Sequence, residues 1–177
     1  MKRILVVLSL ALLVAVFSFA SQNTATQEIR IVVSPVALIS VSKPVLEFDI
    51  SQQNFLPGEA PKLANIDGGT IKYTSVTPDQ MPRSITVSVA EQAVPTGFEV
   101  GVVVLPPDNA VGVLGASTGR VVLDSIPRTV ISQIGTGWTG SDYEDGARVL
   151  YDLGILSHEA LEIGSFEIEV LFTITED

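Results

Sequence analysis

Apolar and polar residues alternate with a period of two along most of this chain, and that period restricts it to sheet structure. The run Ser165–Thr175 is the clearest case: Phe166, Ile168, Val170, Phe172 and Ile174 alternate with Glu167, Glu169, Leu171, Thr173 and Thr175. Successive side chains of a strand point to opposite faces, so this spacing puts two Phe and three aliphatic residues on one face. Wound as a helix, the same residues would scatter around the axis. Further strands are expected at Glu28–Ser34 (Ile29, Ile31 and Val33 on one face), Val45–Ile50 (Leu46, Phe48 and Ile50), Thr70–Ser75 and Ser84–Ala90. Others are expected at Phe98–Leu105, Arg120–Leu123, Thr129–Ile134 and Arg148–Ile155. Phe98–Leu105 is apolar on both faces after Glu99, the mark of a central strand.

About eight to ten short strands separated by Gly and Pro predict an all-β fold. The expected form is a single antiparallel β-sandwich with an immunoglobulin-like or pilin-like layout, with a closed barrel as the alternative. Only Ser157–Ile163 hints at a helical turn. Gln52–Gly69 and Gly135–Gly146 read as the two longest irregular connections.

The first twenty residues stand apart. Met1-Lys2-Arg3 is followed by an uncharged run from Ile4 to Ala20 that ends in Ser18-Phe19-Ala20. A basic start, an apolar stretch and small residues at its end make a cleavable secretory signal. The reading is therefore 1–20 as signal peptide and 21–177 as one β-sandwich domain, exported to the periplasm, the cell surface or the medium. No stable membrane span is expected after cleavage. Cleavage removes two of the ten basic residues and none of the twenty acidic ones. The mature chain is thus strongly acidic, which disfavours nucleic acid and anionic lipid as partners. It has no cysteine, so sheet packing must supply its stability without disulfides.

The catalytic inventory is thin. Thiol chemistry is excluded, and the one histidine, His158, is flanked by Ser157 and Glu159, which do not form a catalytic line as sequence neighbours. The pairs Glu47/Asp49 and Glu167/Glu169 lie opposite apolar ladders and read as solvated faces rather than as a facing pair of acids. The expectation is a non-enzyme. Trp138, Asp142, Tyr143, Glu144 and Asp145 gather within Gly135–Gly146 as a candidate binding loop. Its aromatic rings suit sugar stacking and its acids offer the hard oxygens that Ca2+ takes, although the spacing does not match a twelve-residue calcium loop. Trp138 reads equally as a cap on the core. No metal site is assigned.

The stretch Ala25–Val41, the segment Pro95-Thr96-Gly97-Phe98-Glu99-Val100 and the ending Glu167–Asp177 together resemble exported bacterial β-sandwich proteins and, more distantly, pilin-like subunits of the spore coat protein U type. The resemblance implies a subunit of a fibre or layer, in which a strand from one copy completes the sandwich of the next. Residues 21–34 would be the exchangeable segment here, with Ile29, Ile31 and Val33 as the inserted side chains. The implied partners are further copies of the chain or other envelope proteins. The absence of cysteine departs from that pattern, since such subunits often carry a disulfide. Pairing of Thr26–Ser34 within its own sandwich is the alternative, as is a carbohydrate- or calcium-dependent binding module.

Overall fold

The computed structural model describes residues 26–61, 63–78, 81–91, 93–107, 110–142, 145–161 and 163–176. The signal segment 1–20 lies outside these residues. The chain divides into two units, 1–33 and 34–177. In the first, residues 26–33 are described. They form no strand, and all their side chains are exposed. The strand expected over Glu28–Ser34 is therefore absent.

The second unit is all-β and antiparallel. Its strands are β1 (Val36–Val41), β2 (Ile66–Val76), β3 (Arg83–Val89), β4 (Phe98–Leu105), β5 (Val111–Ser117), β6 (Val121–Val122), β7 (Arg128–Trp138), β8 (Ala147–Ile155) and β9 (Val170–Glu176). Hydrogen bonds join them into one nine-stranded sheet in the order β6-β4-β8-β2-β7-β3-β9, with β1 added to β2 and β5 to β7. β2 and β7 are the branching strands. β2 carries β8 along Ile66–Ile71, β1 along Ile71–Val76, and β7 at Thr74 and Ser75. β7 carries β3 on one edge and β5 on the other. Buried Thr139 seals the point where β7 leaves β2: its N–H donates to the Tyr73 carbonyl and its Oγ1 accepts the Tyr73 N–H, both at 3.1 Å.

One core serves strands from both ends of that order. Val100, Val102 and Val104 of β4 belong to the same buried cluster as Ile85, Val87 and Val89 of β3, with Ile71, Tyr73, Ile131, Ile134, Val149 and Tyr151 among them. Each fully buried Val, Ile or Leu side chain contributes about 1.5–3 kcal/mol, so the cluster, fifteen residues among those described and all but Ala147 large, holds the fold without a covalent staple. The Tyr73 hydroxyl satisfies itself by donating to the Leu114 carbonyl at 2.6 Å, which ties β5 to β2.

Two irregularities shape the sheet. The β2–β8 register shifts between Asp67 and Thr70. There Gly69 takes a left-handed φ of 77°, and its N–H donates to the Asp67 carboxylate at 2.9 Å. That backbone hydrogen bond, followed by the nearby Lys43, holds the Asp67 carboxyl below its ordinary value. In β7 the register against β3 slips between Ile131 and Ile134, and Gln133 adopts a φ of 60°. This bulge lets both Ile131 and Ile134 turn inward.

Several strands occupy longer or different spans than alternation alone indicates. β2 begins at Ile66 and β7 runs on to Trp138, so parts of both expected connections are strand. β5 contains Gly112 and Gly115. Gly112 faces Gly137 in register, and a side chain on it would strike the Thr136 carbonyl. The glycines therefore permit close approach of two strands where composition suggests a loop. Val45–Ile50 alternates as expected, with Leu46 and Phe48 packed on the core and Glu47 and Asp49 exposed, but it forms no ladder. The C-terminal run likewise enters the sheet only at Val170.

Candidate functional site

β9 is the last strand on its side of the sheet. Its whole length pairs with β3, from Arg83↔Glu176 to Val89↔Val170, and among the described residues it pairs with nothing else. Every second residue of such an edge strand directs its N–H and C=O away from the sheet, unpaired. The inward residues of this margin are also incompletely covered. Ile85, Val87 and Val89 of β3 are buried, whereas Ile168, Val170, Phe172 and Ile174 beside them are only partly so. Leu171, on the opposite face, is exposed; Phe166, expected to face inward, is exposed as well because the strand begins only at Val170. The apolar residues of this margin are therefore only partly covered, as are Ile39, Leu46, Phe48, Leu114 and Leu153 elsewhere around the core.

The end of this margin is fixed by Arg83. Its side chain is buried, and its guanidinium donates to the carbonyls of Val36 and Val76 and to the Glu176 carboxylate, the last at 3.0 Å. Ser75 Oγ lies at 3.4 Å. The start of β1 and the end of β9 are thus held together by one cation. Its Nε is buried and finds no acceptor among the described residues, a desolvation cost of roughly 1–3 kcal/mol that the other contacts of Arg83 must offset. Period-two reading places Arg83 outside the strand Ser84–Ala90, and nothing local marks it as buried.

The proposed insert residues Ile29, Ile31 and Val33 lie at 78%, 82% and 73% exposure. Alternation along a chain normally reflects one covered face, and here neither face is covered.

Trp138 belongs to β7 and not to a loop. It pairs with Thr74 of β2 and with Val111 of β5, while Thr74 pairs with Leu38 of β1. Leu38, Thr74, Trp138 and Val111 therefore form one row across four strands, in which Leu38, Trp138 and Val111 are all exposed. Asp142 and Asp145 lie in the following turn, where the Asp145 carboxylate accepts the Asp142 N–H at 2.7 Å. Tyr143 and Glu144 lie outside the described residues. Among the described residues no group of three or more His, Asp or Glu could hold a metal ion.

No family model, curated protein or solved structure matches this chain.

The remaining chemistry is braced internally. Glu99 and Asp152, two acids on the adjoining strands β4 and β8, both bind Arg120, at 2.8 Å and 2.7 Å. Their hydrogen bonds hold that guanidinium even more firmly protonated. His158 sits exposed in a short 3-10 turn, beside a shallow pocket of about 320 Å3 lined by Ala60, Pro61, Leu63, Leu153 and Ile155. Among the described residues no helix is long and apolar enough to cross a membrane.

Proposed function

We propose that the protein is a structural subunit of an extracellular or envelope fibre or layer, assembled by β-strand complementation. The observation that carries this reading is the exposed alternating segment 26–33, whose Ile29, Ile31 and Val33 lack a covered face. Such a segment costs free energy in water and gains by adding to an open sheet edge. The signal-like start, the unassigned catalytic inventory and the resemblance to pilin-like subunits support the same reading. Its partners are further copies of the chain, or envelope proteins that present a similar edge.

Sizing of the chain from Ser21 onward, over a range of concentrations and beside a variant that begins at Pro35, tests the proposal. The longer chain is expected to form concentration-dependent oligomers, visible as fibres or sheets by electron microscopy, and the shorter one to stay monomeric. Two monomers of equal behaviour at high concentration would remove the reading.

A second reading rests on the exposed row around Trp138. An exposed sheet face with a central indole is a platform on which a sugar ring stacks, so a carbohydrate-binding role is the alternative. Titration with glycans should then shift the emission of Trp138, the one tryptophan in the chain, and Trp138→Ala should abolish binding. No shift at millimolar glycan would dismiss this reading. Among the described residues no group of three or more His, Asp or Glu adds a calcium site to it.

A further inference from the structure

We infer that the exposed sheet face around Trp138 takes an acidic polysaccharide, with the indole stacked on a sugar ring and Lys72 and Arg148 binding uronate carboxylates. This inference rests on the carbohydrate reading above and names its class of glycan; it does not depend on assembly.

The strands set the face. Between the buried Ile71, Tyr73 and Ser75, β2 turns Lys72 and Thr74 to the outer side. Thr70 pairs with Arg148 of β8, and Thr74 with Trp138 of β7. β7 and β8 both follow the edge of β2 opposite β1, which pairs with Ile71–Val76. Residues paired directly across strands share a face, and Arg148 is exposed between the buried Ala147 and Val149. Lys72 therefore stands between two exposed side chains, Arg148 towards one end of β2 and Trp138 towards the other. Thr70 and Thr74, which mark those two positions, are ~13 Å apart along an extended strand, a span for a short stretch of glycan rather than for a single sugar. Ser40, paired with Lys72, adds an exposed hydroxyl.

Charge selects the ligand. Lys43, Arg83, Arg120 and Arg128 each pair with a carboxylate. Among the described residues of 34–177, Lys72 and Arg148 are the two Lys or Arg side chains without an ion pair, and both lie on this face. The Lys72 ammonium donates to the Ser141 carbonyl at 2.9 Å, which holds it at the foot of the turn after Trp138 and leaves two of its donors. Arg148 acts on Asp67 at longer range, and Asp67 is itself paired with Lys43 at 3.6 Å. The guanidinium of Arg148 thus keeps its planar fork open, and such a fork takes a carboxylate through two parallel hydrogen bonds.

The rest of the chain limits how much negative charge the ligand can carry. The net charge is -10, and Asp142 and Asp145 border the face in the turn between Trp138 and Arg148. A dense polyanion such as nucleic acid would bring more charge than two cations can meet. A uronan carries one carboxylate per acidic sugar, and its ring carbons offer an apolar surface to the indole. At physiological salt, charges more than about 8 Å away are largely screened, so the local pair of cations outweighs the distant acids.

The test titrates the chain from Ser21 onward, in EDTA, with oligogalacturonate and oligoalginate. Fully methyl-esterified oligogalacturonate and a neutral cello-oligosaccharide serve as uncharged counterparts. Calorimetry and Trp138 emission report binding. At least one uronan is expected to bind about tenfold or more tightly than the ester and the neutral glycan, with a preference that falls as salt is added. Lys72→Gln combined with Arg148→Gln should abolish the preference, Arg148→Lys should keep part of it, and Trp138→Ala should lose every glycan. Unchanged circular dichroism of the variants separates these effects from unfolding. If the ester or the neutral glycan binds as tightly as the uronans, the anionic assignment is overturned and the sugar platform stands. Uronan binding that survives in the double variant, or that requires calcium in place of EDTA, would likewise overturn the roles of Lys72 and Arg148. If none of these glycans binds, this inference and the carbohydrate reading fail together.

Discussion

Ile31→Asp is expected to weaken self-association by 100-fold or more while leaving the melting temperature of the subunit unchanged. The two halves of this expectation have separate causes. Ile31 is 82% exposed in the isolated chain, so its replacement removes no packing from the fold, and surface changes of that kind stay within about 0.5 kcal/mol. On insertion into an acceptor sheet, as the proposed assembly requires, the same position becomes an inward site. Loss of the isoleucine there forfeits about 1.5–3 kcal/mol of apolar burial, and a carboxylate without a partner adds a desolvation cost of at least similar size. Together these exceed about 3 kcal/mol, which corresponds to more than two decades in dissociation constant. Analytical ultracentrifugation gives the association, and thermal unfolding followed by circular dichroism gives the stability. Ile31→Val should keep most of the affinity, since it preserves shape and polarity. A variant Ile31→Asp that associates like the parent would show that this side chain is not inserted.

Alkali should unfold the protein between about pH 10 and pH 12. Burial pushes the hydroxyls of Tyr73 and Tyr151 up to about 12, from an ordinary value of 10.0. In that interval the folded chain keeps both phenolic protons and the unfolded chain has lost them. The folded state therefore binds more protons, and stability must fall as pH rises. The stabilisation tied to the neutral phenols is fully present below pH 10 and is gone above the folded values. Each tyrosine accounts for on the order of 2–3 kcal/mol over that span, a large share of the 5–15 kcal/mol typical of a domain. Denaturant titrations at a series of pH values, with phenolate absorbance followed in parallel, measure both sides of the linkage. The combined variant Tyr73→Phe with Tyr151→Phe should flatten the dependence, although removal of the Tyr73 hydroxyl leaves the Leu114 carbonyl without that donor. Two tyrosines of the folded protein ionising near pH 10 would contradict the expectation.

The residues behind these two expected results are separate. Tyr73, Tyr151 and the aliphatic ladders of β2, β3, β4, β7 and β8 make the covered core, while Ile29, Ile31, Val32, Val33 and Leu171 are exposed. A fold can then be complete enough to persist alone and still gain from one more strand. Arg83, itself buried, ties Val36 at the start of β1 to Glu176 at the end of β9.

What the sequence determined by itself is which side of most of the segments packed on the core turns inward. β4 spans Phe98–Leu105 as alternation indicates, β3 and β8 differ from expectation by a residue at their ends, and Leu46 and Phe48 face the core even where no ladder forms. A period of two is a local record of one-sided burial, so it can be read from neighbours in the chain. Tertiary structure alone decided which extended segments acquire hydrogen-bonded partners. Backbone N–H and C=O groups are the same in nearly every residue, and their partners are distant in sequence. Hence Glu28–Ser34 and Val45–Ile50 alternate without pairing, whereas the glycine-bearing β5 and the far end of β7, with Trp138, pair without clear alternation. The burial of Arg83 has the same origin: its carbonyl partners on β1 and β2 come together only after the sheet has formed.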